Sequence, residues 1–251
     1  MTDPFDYSGK VALVTGSSRG IGEGIIRALS QHGARCVVNF VNDPAGQNKA
    51  DALRVSSEIP DSLAIECDVG NAGQVAGMFS QIQSEMGGLD ILVNNAGILR
   101  DRTIHKMTTE EWDSVLRVNL SGAFHCIQQA TQLLRNDGRI VNISSVSGQI
   151  GMFGQANYAS SKAGLIALTR VASRELARQR ITVNAVAPGF VRTEMTRGMP
   201  EEVLRKFKEQ IPLGDLGEID DIVHTVLFLC SKQARYITGQ VINVNGGFYG
   251  G

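Results

Sequence analysis

The sequence carries few of the features that assign a chain to a specialised structural class. Its four cysteines, Cys36, Cys67, Cys126 and Cys230, lie far apart with no C-x-x-C spacing, so neither a zinc site nor a disulfide framework is signalled, and they read as buried free thiols. No apolar run approaches the roughly 20 residues a membrane helix needs. The opening Met-Thr-Asp-Pro-Phe-Asp carries acids where a secretion signal carries bases. Neither sign of charge is in excess: 24 basic side chains face 25 acidic ones, a net charge of −1, which argues against a nucleic-acid partner held by counterion release. No linker, charge block or internal repeat divides the chain. The expectation is a soluble cytoplasmic protein without a membrane or nucleic-acid partner.

What remains is an ordinary globular composition: 251 residues, 43% hydrophobic and 20% charged, enough for one large α/β domain. Short β-branched runs alternate with longer helical patterns, which predicts a doubly wound parallel sheet covered on both faces. The strand candidates are Val11–Thr15, Cys36–Phe40, Leu63–Cys67, Ile91–Asn94, Ile140–Ser144, Thr182–Ala187 and Val241–Val244, and their apolar continuity implies burial on both sides. Val75, Met78, Phe79, Ile82 and Met86 recur at helical spacing, as do Ile222, Val223, Val226, Leu227 and Leu229. Thr108 with Glu111 forms a capping box that starts a helix. The stretch from Pro188 to Leu216, broken by Gly189, Gly198, Pro200, Pro212 and Gly214, is irregular enough to act as a lid.

Thr15-Gly16-Ser17-Ser18-Arg19-Gly20-Ile21-Gly22 follows the first strand and opens a helical run. Glycines there permit a tight turn and close backbone approach, and a helix start supplies free N–H groups for a pyrophosphate. A dinucleotide site often places an acid about 20 residues further on, for the ribose hydroxyls. Here that region reads Asn39-Phe40-Val41-Asn42-Asp43. With no acid at the strand end, and Arg19 in the turn, a 2′-phosphate meets little repulsion, which favours NADP(H) over NAD; Asp43 stands close enough in sequence to reverse this.

Tyr158 and Lys162 sit four apart in a helical stretch, Ala156 to Arg178, so they share a face. A phenol is a poor acid–base group until a nearby cation lowers its pKa, and Lys162 supplies one. Ser144 or Ser145, ending the fifth strand, offers a hydroxyl where ligands bind in open sheets. Asn119 falls at helical spacing with Trp112, Val115 and Leu116, which places an amide on an apolar face as a clasp or a catalytic part. Asn94-Asn95-Ala96-Gly97 reads as a turn beside a cofactor or as a sheet-end knot.

From Lys10 to Tyr249 these residues, in this order, resemble the short-chain dehydrogenase/reductase family, with Asp68-Val69 after the third strand, Ser145 thirteen residues before Tyr158, and Pro188-Gly189 followed by Thr193 completing the pattern. The resemblance implies a single-domain Rossmann fold with a seven-stranded sheet. It implies cofactor contacts from Gly16, Ser18, Arg19, Gly20, Ile21 and Gly22 in the turn, from Asn39, from Asp68 and Val69 at the adenine, and from Asn95, Ala96 and Gly97 at the ribose. Pro188, Gly189, Val191 and Thr193 are then expected at the nicotinamide amide. Tyr158 becomes the proton donor, Ser145 the carbonyl anchor, Lys162 the ribose ligand that tunes the phenol, and Asn119 the holder of a relay water.

Within the family the likeness is nearest to 3-oxoacyl-[acyl-carrier-protein] reductases and acetoacetyl-CoA reductases, through Gly154-Gln155-Ala156-Asn157-Tyr158 and the tail Asn243-Val244-Asn245-Gly246-Gly247. It implies NADPH-dependent reduction of a 3-oxoacyl thioester by a homotetramer, with acyl carrier protein a candidate partner. The run Leu134-Arg135-Asn136-Asp137-Gly138 is less basic than the carrier-binding group has; Arg174, Arg178 and Arg180 are candidates to compensate. A dehydrogenase of sugars, polyols or steroids, or a non-catalytic NADP-binding sensor, are the alternatives.

Overall fold

The structure, a computed structural model, describes residues 5–193 and 201–250. All seven expected strands form: β1 Val11–Val14, β2 Arg35–Phe40, β3 Ser62–Glu66, β4 Leu89–Asn94, β5 Leu134–Ile143, β6 Thr182–Pro188 and β7 Val241–Val244. They build one sheet of order β3-β2-β1-β4-β5-β6-β7, parallel throughout. The order reverses direction between β1 and β4, and that crevice is where open α/β sheets bind ligands. Only β5 starts well before its expected boundary. Leu134 pairs with Leu89, the ladder skips, and pairing resumes at Ile91 and Arg139, with Asp137 at φ 63° in the looped-out segment.

Helices α1 Gly20–Gln31, α2 Gln47–Glu58, α3 Ala72–Met86, α4 Thr109–Leu116, α5 Gly122–Leu133, α6 Ser147–Ile150, α7 Ala156–Glu175, α8 Glu201–Gln210 and α9 Ile219–Cys230 connect the strands. The expected helix to Arg178 thus ends at Glu175, and a short 3₁₀ turn, Ala177–Gln179, follows. Side chains leave a strand alternately to its two faces, so β1 sends Ala12 and Val14 into one core with Ile25, Ile26 and Leu29 of α1 and the apolar stripe of α9. Val11 and Leu13 enter the other, with Val75, Met78, Phe79 and Ile82 of α3 and Cys126 of α5. The four cysteines are buried and unpaired, as expected, and the Thr108–Glu111 capping box closes.

The end of the sheet away from the crevice is tied by one carboxylate. Asp90 is 3% exposed; its oxygens accept from the Val11 N–H at 2.9 Å and Lys10 Nζ at 3.0 Å, and from Arg135. Removing its charge strands two cations and leaves a strand N–H facing an amide. Asp90→Asn is therefore expected to lower unfolding free energy by about 2–3 kcal/mol, read from urea denaturation; a midpoint unchanged from wild type contradicts this account of the sheet end.

Candidate active site

The turns after β1 and β4 are laced together at the crevice. Thr15 Oγ1 accepts the N–H groups of Asn95 and Ala96 at 2.9 and 3.0 Å, and the Asn95 amide donates to the carbonyls of Thr15 and Gly16 at 2.9 and 3.1 Å. Gly20 adopts φ +60°, and a Cβ on Gly22 would stand 2.5 Å from both Asn95 Nδ2 and Gly16 O, so the turn reaches this depth only with glycine there. Arg19 occupies the N-cap of α1 without a side-chain capping bond. The first-turn N–H groups and the positive end of the helix dipole are left for an anion. A dinucleotide pyrophosphate fits this cradle.

Asn39 departs from its expected role. It is 1% exposed; its Oδ1 accepts the Gly16 N–H at 3.0 Å and its Nδ2 donates to Cys67 O at 3.1 Å. Every polar atom of the side chain is used to brace the turn, so it shapes the cradle from beneath. Asp43 accepts the Asn48 N–H at 2.8 Å at the start of α2, so its carboxylate is engaged with that helix, and Arg19 in the turn after β1 is exposed.

Beyond β4, β5 and β6 the chemistry-bearing side chains gather. Lys162 is 3% exposed, and its Nζ donates to the Ile143 carbonyl at 2.7 Å while lying 5.6 Å from the Tyr158 ring centroid. Burial pulls the ammonium down to about 8. Tyr158 behaves opposite to expectation. Burial raises the phenol, a hydrogen bond from Ser145 lowers it, and the charge of Asp101 raises it further. Two groups desolvated together each favour their neutral forms.

The two strand-ending serines separate in role. Ser144 Oγ donates to Lys162 O at 3.0 Å and clasps α7 to β5, whereas Ser145 stands against the phenol, its Oγ also accepting the Ser147 N–H at 3.1 Å. Asn119 is brought in by a feature that periodicity hides. Residues Arg117–Ser121 form a π-helical turn between α4 and α5, so the stripe is broken. Val115 and Asn119 are buried, Leu116 is half-buried, and Trp112 is exposed. Asn119 Oδ1 accepts the Ile98 N–H at 2.8 Å, and its Nδ2 donates to Ile98 O at 3.0 Å and Ser161 Oγ at 3.3 Å. Gly97 lies between, with its Cβ position 3.4 Å from Asn119 Oδ1 and 3.7 Å from Lys162 Nζ. Sequence reasoning missed Ser161, the Ile143 carbonyl and Asp101; of these only Ser161, three residues beyond Tyr158 on its helix, had a signal in its spacing.

On the far side, Pro188 ends β6 and Gly189 packs against Asn245, whose Cβ would lie 2.7 Å from a Cβ on the glycine. Val191 pairs with Gly217, and Thr193 closes this stretch of the described chain. Arg192 binds Asp215 and Glu218. Of the lid expected over Pro188–Leu216, residues 194–200, with Gly198 and Pro200, lie outside the described residues. The described part includes α8, whose Phe207 stacks on Phe190 at 4.0 Å, with Phe248 edge-on to Phe190 at 5.4 Å. At the other end of the crevice, Asp68 and Val69 follow β3, where Asp68 meets Arg117 at 2.6 Å. No group of metal-ligating side chains forms, and no helix is long and apolar enough to cross a membrane, among the described residues.

Comparison with known proteins agrees with this geometry. Residues 16–249 match a family model described as Enoyl-(Acyl carrier protein) reductase. The chain is 48% identical, over 96% of its length and 98% of the relative's, to the 3-oxoacyl-[acyl-carrier-protein] reductase FabG of Staphylococcus aureus, and 44% identical to that of Aquifex aeolicus over 96% and 98%. The crystal structure of a protein provisionally called a short-chain alcohol dehydrogenase, from Sinorhizobium meliloti 1021, superposes with a TM-score of 0.90 at 38% identity, covering 98% of each chain. By motif, sheet order and overall likeness, the chain belongs to the short-chain dehydrogenase/reductase family.

Proposed function

We propose that the protein is an NADP-dependent oxidoreductase that reduces a 3-oxoacyl thioester to the 3-hydroxyacyl thioester, with Asn119, Ser145, Tyr158 and Lys162 as its working residues. The observation that carries this reading is the cluster itself: a half-buried phenol, a buried hydroxyl against it and a buried ammonium behind it, at the mouth of a crevice whose other end is a pyrophosphate cradle. The curated relatives named as 3-oxoacyl-[acyl-carrier-protein] reductases supply the substrate class. NADPH, when bound, supplies the hydride.

The chain's own residues manage the oxygen. Ser145 donates a hydrogen bond to the carbonyl oxygen as negative charge grows there, and Tyr158 delivers its proton to the same atom. The phenol carries its proton at neutral pH, as this step requires, and burial shifts it further toward that form. Lys162, fixed by Ile143 O, stands behind the ring to stabilise the phenolate left behind. The Asn119 side chain is fixed by Ile98 and Ser161, which sets the π-helical turn whose main chain would hold a relay water.

Among the basic residues considered for a carrier protein, Arg135 is drawn to Asp90, and Arg180 grips Asp137 with two bonds of 2.7 and 2.6 Å. Arg174 and Arg178 remain exposed. These two are the arginines left to meet an acyl carrier protein, the acyl donor in the relatives' names. Exposed Trp112 on α4 and Phe124 on α5 support homotetramer packing through those helices, and the reading as a whole is of a single-domain cytoplasmic enzyme with a lid at Pro188–Leu216.

NADPH absorbance followed with acetoacetyl-CoA, with an acyl-carrier substrate and with sugar, polyol and steroid ketones tests the assignment; turnover confined to the non-thioester ketones removes it. Tyr158→Phe is expected to cut kcat by roughly 10²–10⁴-fold, and retention of wild-type turnover would end the role given to the phenol. Lys162 gives a pH prediction. Its folded-state pKa of about 8 lies below the ordinary 10.5, so between those values the unfolded chain binds the extra proton. The cost of the buried ammonium is fully present below pH 8 and is relieved above it. Relative to Lys162→Met, wild type should gain stability from pH 7 to pH 10 in urea unfolding; an equal or declining difference contradicts the assignment.

A further inference from the structure

The Asp68–Arg117 pair joins the turn after β3 to the π-helical turn that carries Asn119. Asp68 Oδ1 accepts the Gly70 N–H at 2.9 Å, and Oδ2 accepts from Arg117 Nη1 at 2.6 Å. The Asp68 N–H is in turn held by Gln74 Oε1 at 2.8 Å. Each carboxylate oxygen is thus oriented by one bond and keeps a second lone pair for a ligand. The guanidinium is packed against the turn: a Cβ on Gly70 would clash with Arg117 Nη1 and stand 2.9 Å from its Cζ. Gly70 has no positive φ, so a Cβ here acts on the arginine and not on the backbone: it would displace the guanidinium from Asp68. Arg117 is also the first residue of the π-helical turn that carries Asn119.

We propose that Arg117 is a positioning residue for recognition of the cofactor's adenine: it holds the Asp68 carboxylate as a fixed acceptor and anchors that end of the crevice to the turn bearing Asn119. The inference rests on reading the crevice as the NADP(H) site with Asp68 at its adenine end. Sheet order supports that direction. The reacting side chains lie beyond β4, β5 and β6, and Asp68 lies beyond β3 on the opposite side of the switch point, so a dinucleotide spanning it ends at Asp68. Adenine offers an exocyclic amine donor, which a carboxylate locked in place accepts. Hypoxanthine offers a carbonyl oxygen at the same position, and a fixed carboxylate repels it. A carboxylate freed from Arg117 swings aside and loses that discrimination.

The test is equilibrium fluorescence titration with NADPH and with its hypoxanthine analogue, together with a thermal unfolding midpoint for each variant. Wild type should prefer NADPH. Arg117→Ala, which deletes the guanidinium, and Gly70→Ala, which displaces it, should each narrow that preference by roughly tenfold, the loss falling on NADPH. A preference unchanged in both variants, or NADPH and analogue weakened equally, overturns the proposal in favour of an ordinary surface ion pair. Asp68→Asn separates the two levels. If it abolishes the preference while Arg117→Ala and Gly70→Ala keep it, the adenine end stands and Arg117 has no part. If it also leaves the preference intact, the placement of the adenine is what fails.

Discussion

The bond from Lys162 Nζ to the carbonyl of Ile143 organises the reacting end of the molecule. A buried ammonium in an apolar setting needs a strong acceptor, and the last carbonyl of β5 provides one at the strand end where the chain turns into Ser144 and Ser145. Ser144 returns the connection by donating to the Lys162 carbonyl. Strand and helix are therefore joined twice within one turn, and Tyr158, one turn before Lys162, has its depth set by the same pair of bonds. Close approach of neighbouring backbones makes this possible. A Cβ on Gly148 would stand 2.7 Å from the Lys162 carbonyl carbon, and one on Gly164 would stand 2.8 Å from Leu120 Cδ2, so α6 and the π-helical turn both press against α7 at glycines.

Much of the architecture was legible in the sequence because its signals are local. Seven β-branched runs and the stripes of α3 and α9 are patterns of one residue type at a fixed period, and burial enforces them. The cradle was legible for the same reason, since the need for glycine at Gly20 and Gly22 follows from backbone geometry.

What was not legible depended on partners distant in the chain. Asn39 was read as a cofactor contact, but whether an amide at a strand tip faces outward or inward is decided by Gly16 and Cys67. The stripe through Trp112, Val115, Leu116 and Asn119 assumed a regular helix; the extra residue of the π-helical turn leaves no mark on composition. The phenol's shift went the other way because spacing conveys the nearness of Lys162 and says nothing of the desolvation both groups share. Arg135 and Arg180 counted as free charge in the sequence until Asp90 and Asp137 were found beside them.

Inside the sheet, Asn94 on β4 donates to Asn142 on β5 at 2.8 Å, Asn142 donates to Thr169 of α7 at 2.8 Å, and Thr169 donates to Leu165 O at 2.8 Å. Greasy strands clad on both sides carry little to tell one alignment from the next, since a slip by one position merely exchanges one oily surface for another. An amide rung removes that degeneracy. Sliding β4 past β5 would maroon two carboxamides in hydrocarbon, and because the rung continues into α7, the same key that indexes the strands also fixes where along them the helix, with its tyrosine and lysine, comes to rest.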